Sequence, residues 1–253
     1  MTDIILVADV SSANAPGAAP GRASLQDDLD WLWMAAQGVR GVYTEGCIGN
    51  DGPNPDRATL SADIASAGLA LGWYDFTYPI GLQNDSTHTA RDAIGQARMH
   101  AASHPKWAPG MLQNAYDFEW PSPADFIRWG CTWPQIANWA RAYIAERRQI
   151  EGRAGDAFYS YKSWLYSLMD EGSFDLDDEI ALWVAGDYAW STSDDRKPIL
   201  WQRTGHELMV PTTSGRPPVK TDCSIFLGDE TAWASFLGLP PSATPTRPDL
   251  PAA

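Results

Sequence analysis

The order of strand and helix signals along the 253 residues predicts an α/β fold, a single-domain, TIM-like (β/α)5(β)3 barrel. Three observations predict it. Apolar, strand-like runs alternate with helical patterns through the first two thirds of the chain, which argues for a parallel sheet wrapped in helices. After about residue 170 the helices stop and three more strand-like runs follow directly. The total is eight strands, the number that closes such a barrel, and roughly 250 residues is an ordinary size for one.

Each element has its own signal. Residues 3–8, apolar from Ile4 to Ala8, read as a strand buried on both faces. A Gly/Pro/Ala-rich loop follows from Ser11 to Arg22. Ser24 opens a helical pattern through Leu25, Leu29, Leu32 and Ala36 that stops at Gly38. Val39–Thr44 is the second strand, and a helix from Asp56 or Thr59 to Gly68 leads to a third at Leu69–Phe76. A long helix is expected from about Thr87 to His104, and a fourth strand within Gly110–Glu119. Thr132 and Gln135 form a capping box with Pro134 in the first turn, and Ile136, Trp139, Ala140, Tyr143 and Ile144 make an apolar stripe that ends before Gly152. Ala157–Ser160 is the fifth strand and Ser163–Met169 a short helix. Ile180–Ala185, Ile199–Gln202 and Val219–Phe226 complete the eight, and a short helix near Glu230–Phe236 closes the fold. The barrel is thus expected over 1–238, with 239–253 a Pro-rich tail or linker.

Composition removes several classes of function. The chain is 44% hydrophobic and 20% charged, a globular balance far from disorder. With 32 acidic and 18 basic residues the net charge is −14, the wrong sign for a nucleic-acid backbone or an anionic membrane surface. No apolar run approaches the roughly 18 residues a membrane span needs. The run at Ile4–Ala8 lacks a basic flank and meets Asp9, so it is not read as a signal peptide. The protein is expected to be made in the cytoplasm and to work as a monomer. Cys47, Cys131 and Cys223 are widely spaced and odd in number, which reads as buried thiols rather than a disulfide framework or metal site.

In an α/β barrel the chemistry sits at the C-terminal ends of the strands. Those ends carry Asp9, Glu45, Asp75, Asp117 and Glu119, and Asp222 lies on the last strand, so six carboxylates are expected on one rim. A single acid there is often a helix cap or a solvated loop residue; six together are harder to explain so. Within Tyr116-Asp117-Phe118-Glu119-Trp120, strand alternation puts Asp117 and Glu119 on one face about 7 Å apart. Neighbouring buried carboxylates repel and raise each other's pKa, which keeps one protonated near neutral pH. Such a protonated acid can donate to a glycosidic oxygen, and glycoside hydrolysis typically uses a carboxyl pair. The 13 Trp offer flat surfaces on which sugars stack, although most are expected in the core. His100 and His104 stand four apart on a helix, but no zincin Glu follows His100, and a solvated outer face explains them. Phosphate-cradling loops and a serine-hydrolase elbow are both missing, and no cofactor or metal is expected.

These motifs, in this order, resemble glycoside hydrolase family 25 lysozymes, which include many phage endolysins and bacterial muramidases. Ala8-Asp9-Val10-Ser11-Ser12-Ala13-Asn14 resembles the family's opening Asp-Val-Ser. Tyr43-Thr44-Glu45-Gly46, Gly72-Trp73-Tyr74-Asp75-Phe76 and Tyr116-Asp117-Phe118-Glu119 resemble its second, third and fourth strands. Phe158-Tyr159-Ser160-Tyr161, Leu182-Trp183-Val184-Ala185, Trp201-Gln202 and Thr221-Asp222 resemble the remaining four. The resemblance implies cleavage of the β-1,4 bond between N-acetylmuramic acid and N-acetylglucosamine in bacterial peptidoglycan. It implies Glu119 as general acid/base and Asp117 as the group that orients or stabilises the developing charge, with Asp9 and Asp222 completing the acidic cluster. Glu45, Tyr74, Asp75, Tyr161 and Trp183 would bind substrate. Release to the cell wall would follow the manner of a phage lysin, or another export route.

Two departures stand out. Val42-Tyr43 occupies a region where the family often has Lys, and Asp75 replaces the usual third-strand His. If Asp75 faces the cleft, it adds an acid there and raises the alkaline limb of the pH profile. A chitinase-like Asp-x-x-Asp-x-Asp-x-Glu fits less well, because Leu112 and Ala115 stand where it needs acids. Two other readings of the barrel remain: a catalytically weak glycan-binding module of a virion or wall-targeting assembly, and a glycosidase for another wall polysaccharide.

Overall fold

The computed structural model describes residues 4–10, 28–48, 53–54, 57–79, 93–119, 132–152, 156–186 and 197–240. Within them the strands are β1 (Ile5–Val10), β2 (Val39–Ile48), β3 (Ala70–Phe76), β4 (Asn114–Asp117), β5 (Asp156–Tyr161), β6 (Ala181–Ala185), β7 (Leu200–Val210) and β8 (Val219–Phe226). They close into one barrel in sequence order. Neighbours from β1 to β7 pair in parallel. β8 closes the ring antiparallel to both β7 and β1. The helices are α1 (Trp31–Ala36), α2 (Arg57–Ser66), α3 (Ala93–Ser103), α4 (Trp133–Glu151), α5 (Lys162–Asp170) and α6 (Glu230–Phe236). No helix among the described residues is long and apolar enough to cross a membrane. The fold is therefore the expected barrel. The Ser11–Arg22 loop, the helix starts placed at Ser24 and Thr87, Trp120, Cys131 and the tail beyond residue 240 lie outside the described residues.

Local chemistry accounts for the helix boundaries. Asp30 caps α1 by accepting from the Trp33 N–H at 2.8 Å. In α4 the Gln135 side chain accepts the Thr132 N–H at 2.9 Å, and Gly152 ends the helix with φ of 93°, a conformation suited to glycine. Asp229 caps α6 through the Ala232 N–H at 2.9 Å.

β7 runs eight residues past the expected end at Gln202. Its far half leaves the barrel and pairs with the start of β8 as a two-stranded ribbon, Val210 opposite Val219. Leu208, Val210 and Val219 turn one face of this ribbon onto Leu29, Trp31 and Met34, while Met209 is exposed. Half-apolar alternation between turns is a weaker strand signal than the apolar run that opens β1. β2 likewise continues beyond Glu45, through a register shift between Glu45 and Cys47.

The core has three parts. Inward side chains fill the barrel, among them Val7, Tyr43, Tyr74, Trp183, Leu200 and Phe226. A second cluster lies between the sheet and α3, α4 and α5, around Tyr116, Phe118, Tyr143, Phe158 and Leu165. A third lies under α1, α2 and the β7–β8 ribbon. Cys47 and Cys223 are buried free thiols, and burial pushes the Cys223 thiol up to about 12.

The second cluster encloses a polar knot that contradicts two expectations. His100 and His104 are buried, not solvated. Asp75 is also fully buried, on the outer face of β3 beneath α3 and α4. Its Oδ2 accepts from Arg147 Nη1 at 2.5 Å and from His104 Nε2 at 2.8 Å. Arg147 also pairs with Glu151 at 3.0 Å, donates to the Tyr143 hydroxyl at 3.0 Å and lies over the Tyr116 ring at 5.2 Å. His100 Nδ1 sits 2.6 Å from the same Tyr143 hydroxyl. Arg147 continues the apolar stripe of α4, so its burial follows from helical periodicity that its charge conceals.

Burial alone would raise the Asp75 carboxyl, but the charges of His104, Arg147 and His100 hold it well below the usual carboxylate range. A lowered folded-state pKa adds stability above the ordinary Asp value of about 3.9, and that stability is lost as pH falls below it. Arg147→Met should destabilise the fold by about 3–5 kcal/mol, because it leaves a buried carboxylate without its cation. It should also flatten the loss of stability below pH about 4. Urea unfolding at pH 3 to 6 checks both, and a variant as stable as wild type at pH 6 would show that the pair is dispensable.

Candidate active site

Strand alternation builds the site. On β1, Val7 and Asp9 point into the barrel; on β2, Tyr43 and Glu45 do so; on β4, Ala115 and Asp117; on β5, Ala157, Tyr159 and Tyr161; on β8, Ser224 and Asp222. Asp9 and Asp222 are direct partners across the β1–β8 pair. Asp117 is flanked by Phe76 on β3 and Tyr159 on β5. Glu119 lies two residues past the end of β4 and is less buried than Asp117, which is 5% exposed. Asp9, Glu45, Asp117, Glu119 and Asp222 therefore form one carboxylate cluster at the C-terminal mouth.

The cluster holds protons tightly. Burial raises the Asp9 carboxyl well above its usual range, and the charges of Asp222, Glu119 and Glu45 raise it further. Asp117 is raised by burial, then by Glu119, Asp9 and Glu45. Burial pushes Glu119 up to about 7, against a hydrogen bond from Tyr159 that pulls it down and with the charge of Asp222 adding to the rise. Asp222 is raised by burial and by Glu207, with Lys220 partly offsetting this. Asp9 Oδ1, Asp117 Oδ1 and Glu119 Oε2 are buried and take no hydrogen bond from the described residues. Like charges in a site of low dielectric cannot all ionise, so these acids titrate as a set.

The other expected site residues divide. Tyr161 is 47% exposed at the rim, and the Glu119 charge, then burial, raises its phenol to about 12. Glu45 is buried and contributes its charge to Asp9 and Asp117. Tyr74 is 6% exposed and belongs to the barrel filling. Trp183, 1% exposed, is not an open sugar platform. It stacks on Tyr43 with centroids 4.5 Å apart, meets Tyr159 at 4.6 Å, and donates from Nε1 to Ser224 Oγ at 2.9 Å. It forms the floor. Tyr43, in the region where the resemblance led to a Lys, packs into that floor and donates its hydroxyl to the Gln113 carbonyl at 2.8 Å. Asp75 does not reach the cleft at all, because β3 alternation turns it outward beside the inward Tyr74. The expected rise of the alkaline limb through Asp75 loses its basis. Tyr159 and the inward, half-buried Gln202 were given no role from sequence, although alternation from Ala157 places Tyr159 beside the acids. Among the described residues no group of three or more His, Cys, Asp or Glu is arranged to hold a metal ion.

An eight-stranded barrel with a proton-holding carboxylate cluster at its C-terminal mouth defines a barrel glycosidase. The comparisons with known proteins say which kind. The family model described as glycosyl hydrolases family 25 matches residues 23–210, and the chain belongs to that family. Among curated proteins, no sequence matches closely enough to count as a relative. Solved structures share the fold. A family 25 glycosyl hydrolase from Bacillus anthracis has a TM-score of 0.67 and 17% identity, over 91% of this chain and 92% of that one. A bacterial lysozyme from Streptomyces coelicolor has a TM-score of 0.66 and 19% identity, over 94% and 98%. The catalytic domain of an endolysin from bacteriophage P40 of Listeria monocytogenes has a TM-score of 0.54 and 16% identity, over 93% and 96%.

A folded-state pKa raised above the ordinary value of about 4.3 means that the folded protein binds the proton more tightly than the unfolded chain. The stability this gives Glu119 is full below about pH 4 and is lost as pH rises through about 7. Glu119→Gln should therefore match or exceed wild-type stability at pH 8, by roughly 3 kcal/mol at most. Its unfolding midpoint should fall less between pH 4 and 8. Parallel pH dependence in the two proteins would mean that Glu119 titrates as an ordinary surface acid.

Proposed function

We propose that this family 25 glycoside hydrolase is a lysozyme that cleaves the β-1,4 bond between N-acetylmuramic acid and N-acetylglucosamine in peptidoglycan. The observation that carries the reading is Glu119: an acid at the mouth of the cleft, raised to about 7 by its burial, and thus protonated where an ordinary carboxyl is not. Glu119 donates its proton to the glycosidic oxygen as the bond breaks. Positive charge develops at the anomeric carbon, and Asp117 with its carboxylate neighbours stabilises it. The substrate's own N-acetyl oxygen closes on that carbon, one of the known exceptions to the two-carboxylate scheme. Glu119, now ionised, takes a proton from the water that opens this intermediate. Tyr161 supports the sugar ring. The cluster is completed by strands of one chain, which supports a monomer as the working unit.

Glu119→Gln should abolish turbidity loss of purified cell walls while the fold persists, because an amide keeps the shape without a transferable proton. Asp117→Asn should reduce the rate more than Asp9→Asn or Asp222→Asn. Mass analysis of the released fragments should show reducing ends on N-acetylmuramic acid. Reducing ends on another sugar would assign a different glycosidase, and no release by folded wild type would leave a glycan-binding barrel.

The net charge adds a second expectation. Protein and wall are both anionic, and the Debye length is about 10 Å at 0.1 M salt. Adding salt from very low values should speed attack on intact walls until screening saturates. A steady fall in rate would instead identify a local basic patch as the wall-binding surface.

A further inference from the structure

β4 ends at Asp117, so strand pairing alone does not fix Glu119. The neighbouring strand does. The Phe118 N–H donates to the Tyr159 carbonyl at 2.9 Å, and Ser160 Oγ donates to the Phe118 carbonyl at 2.6 Å. β5 thus grips the backbone on both sides of Phe118. The Phe118 ring is anchored on the outer face, stacked on Phe158 at 5.0 Å and meeting Trp139 and Tyr143 edge-on at 5.9 and 5.7 Å. One residue further, alternation turns Glu119 inward, where it is hydrogen-bonded to the Tyr159 side chain. Tyr159 is itself held from below by Trp183, whose Nε1 is tied across the barrel to Ser224. The Tyr43 hydroxyl is committed to Gln113, and Tyr161 lies half exposed at the rim.

We propose that Tyr159 and Ser160 are positioning residues for the catalytic acid: Ser160 and the Tyr159 carbonyl clamp Phe118, and the Tyr159 hydroxyl fixes the Glu119 carboxyl. The proposal rests on Glu119 as the proton donor. Removing the phenol frees one carboxyl oxygen and removes a hydrogen bond that favours the charged form, so Glu119 should hold its proton to higher pH. Removing the Ser160 hydroxyl loosens the backbone without touching the carboxyl, so geometry should suffer and titration should not.

The test titrates protein carrying carbon-13 at Glu carboxyls by NMR, with the Glu119 signal identified by its loss in Glu119→Gln. Tyr159→Phe should move that titration up by about one pH unit. The alkaline limb of kcat on purified peptidoglycan should move with it, and kcat should fall roughly 10- to 100-fold with KM little changed. Ser160→Ala should lower kcat about 10-fold with the Glu119 titration unmoved, and Ser160→Thr should recover part of the loss. A Tyr159→Phe variant with an unmoved titration, or with KM raised and kcat intact, would place the hydroxyl on the sugar and overturn the assignment. Wild-type kcat in Ser160→Ala would remove the clamp. The titration needs no substrate, so a shifted Glu119 signal in a protein that cleaves no peptidoglycan would leave the positioning intact and refute the proposed activity alone.

Discussion

In a closed barrel every second side chain of every strand must point at one axis, and the rest of this structure follows from that constraint. The lower layers are filled with rings: Tyr43, Trp183, Tyr159 and Phe226 leave little room for water. The carboxylates of Asp9, Glu45, Asp117 and Asp222 sit above those rings, with Glu119 just past the strand end. Geometry forces the acids together and the floor keeps the dielectric low. Both effects favour the protonated form, so packing alone holds the proton on Glu119 to near neutral pH, as the proposed role of proton donor requires.

Such a cluster costs stability when it ionises, and the fold offsets this elsewhere. Behind β3 and β4, Asp75, Arg147, His104 and Glu151 form a buried knot in which opposite charges face one another. The inner acids and the outer Asp75 therefore respond to pH in opposite senses. The inner acids lose favour as pH rises, Asp75 as pH falls. The sheet keeps them distinct because Tyr74 and Asp75, adjacent in sequence, emerge on opposite faces.

The same reasoning separates the aromatic residues. Trp183 and Tyr161 both belong to strands at the site, yet one is floor and the other rim. Trp183 lies level with Tyr159 and Leu200 inside the ring of strands, whereas Tyr161 is the last residue of β5. Depth along the barrel axis, more than residue type, decides which ring is open at the mouth.

The sequence by itself determined the barrel and the acids of its mouth, because both rest on local rules. Apolar runs, capping residues and the period of two in Asp117-x-Glu119 need no knowledge of distant contacts. It did not determine the fate of Asp75, His100, His104 and Arg147. Charge marks such residues as solvated or as site residues, and only the docking of α3 and α4 over β3 showed that they satisfy one another in the interior. Nor did it show the ribbon at the end of β7, whose alternating pattern gains a buried face only when α1 lies against it. The role of Tyr159 likewise waited on the tertiary structure. A hydrogen bond between β5 and a residue beyond β4 depends on register, and register is set by closure of the whole ring rather than by either strand alone.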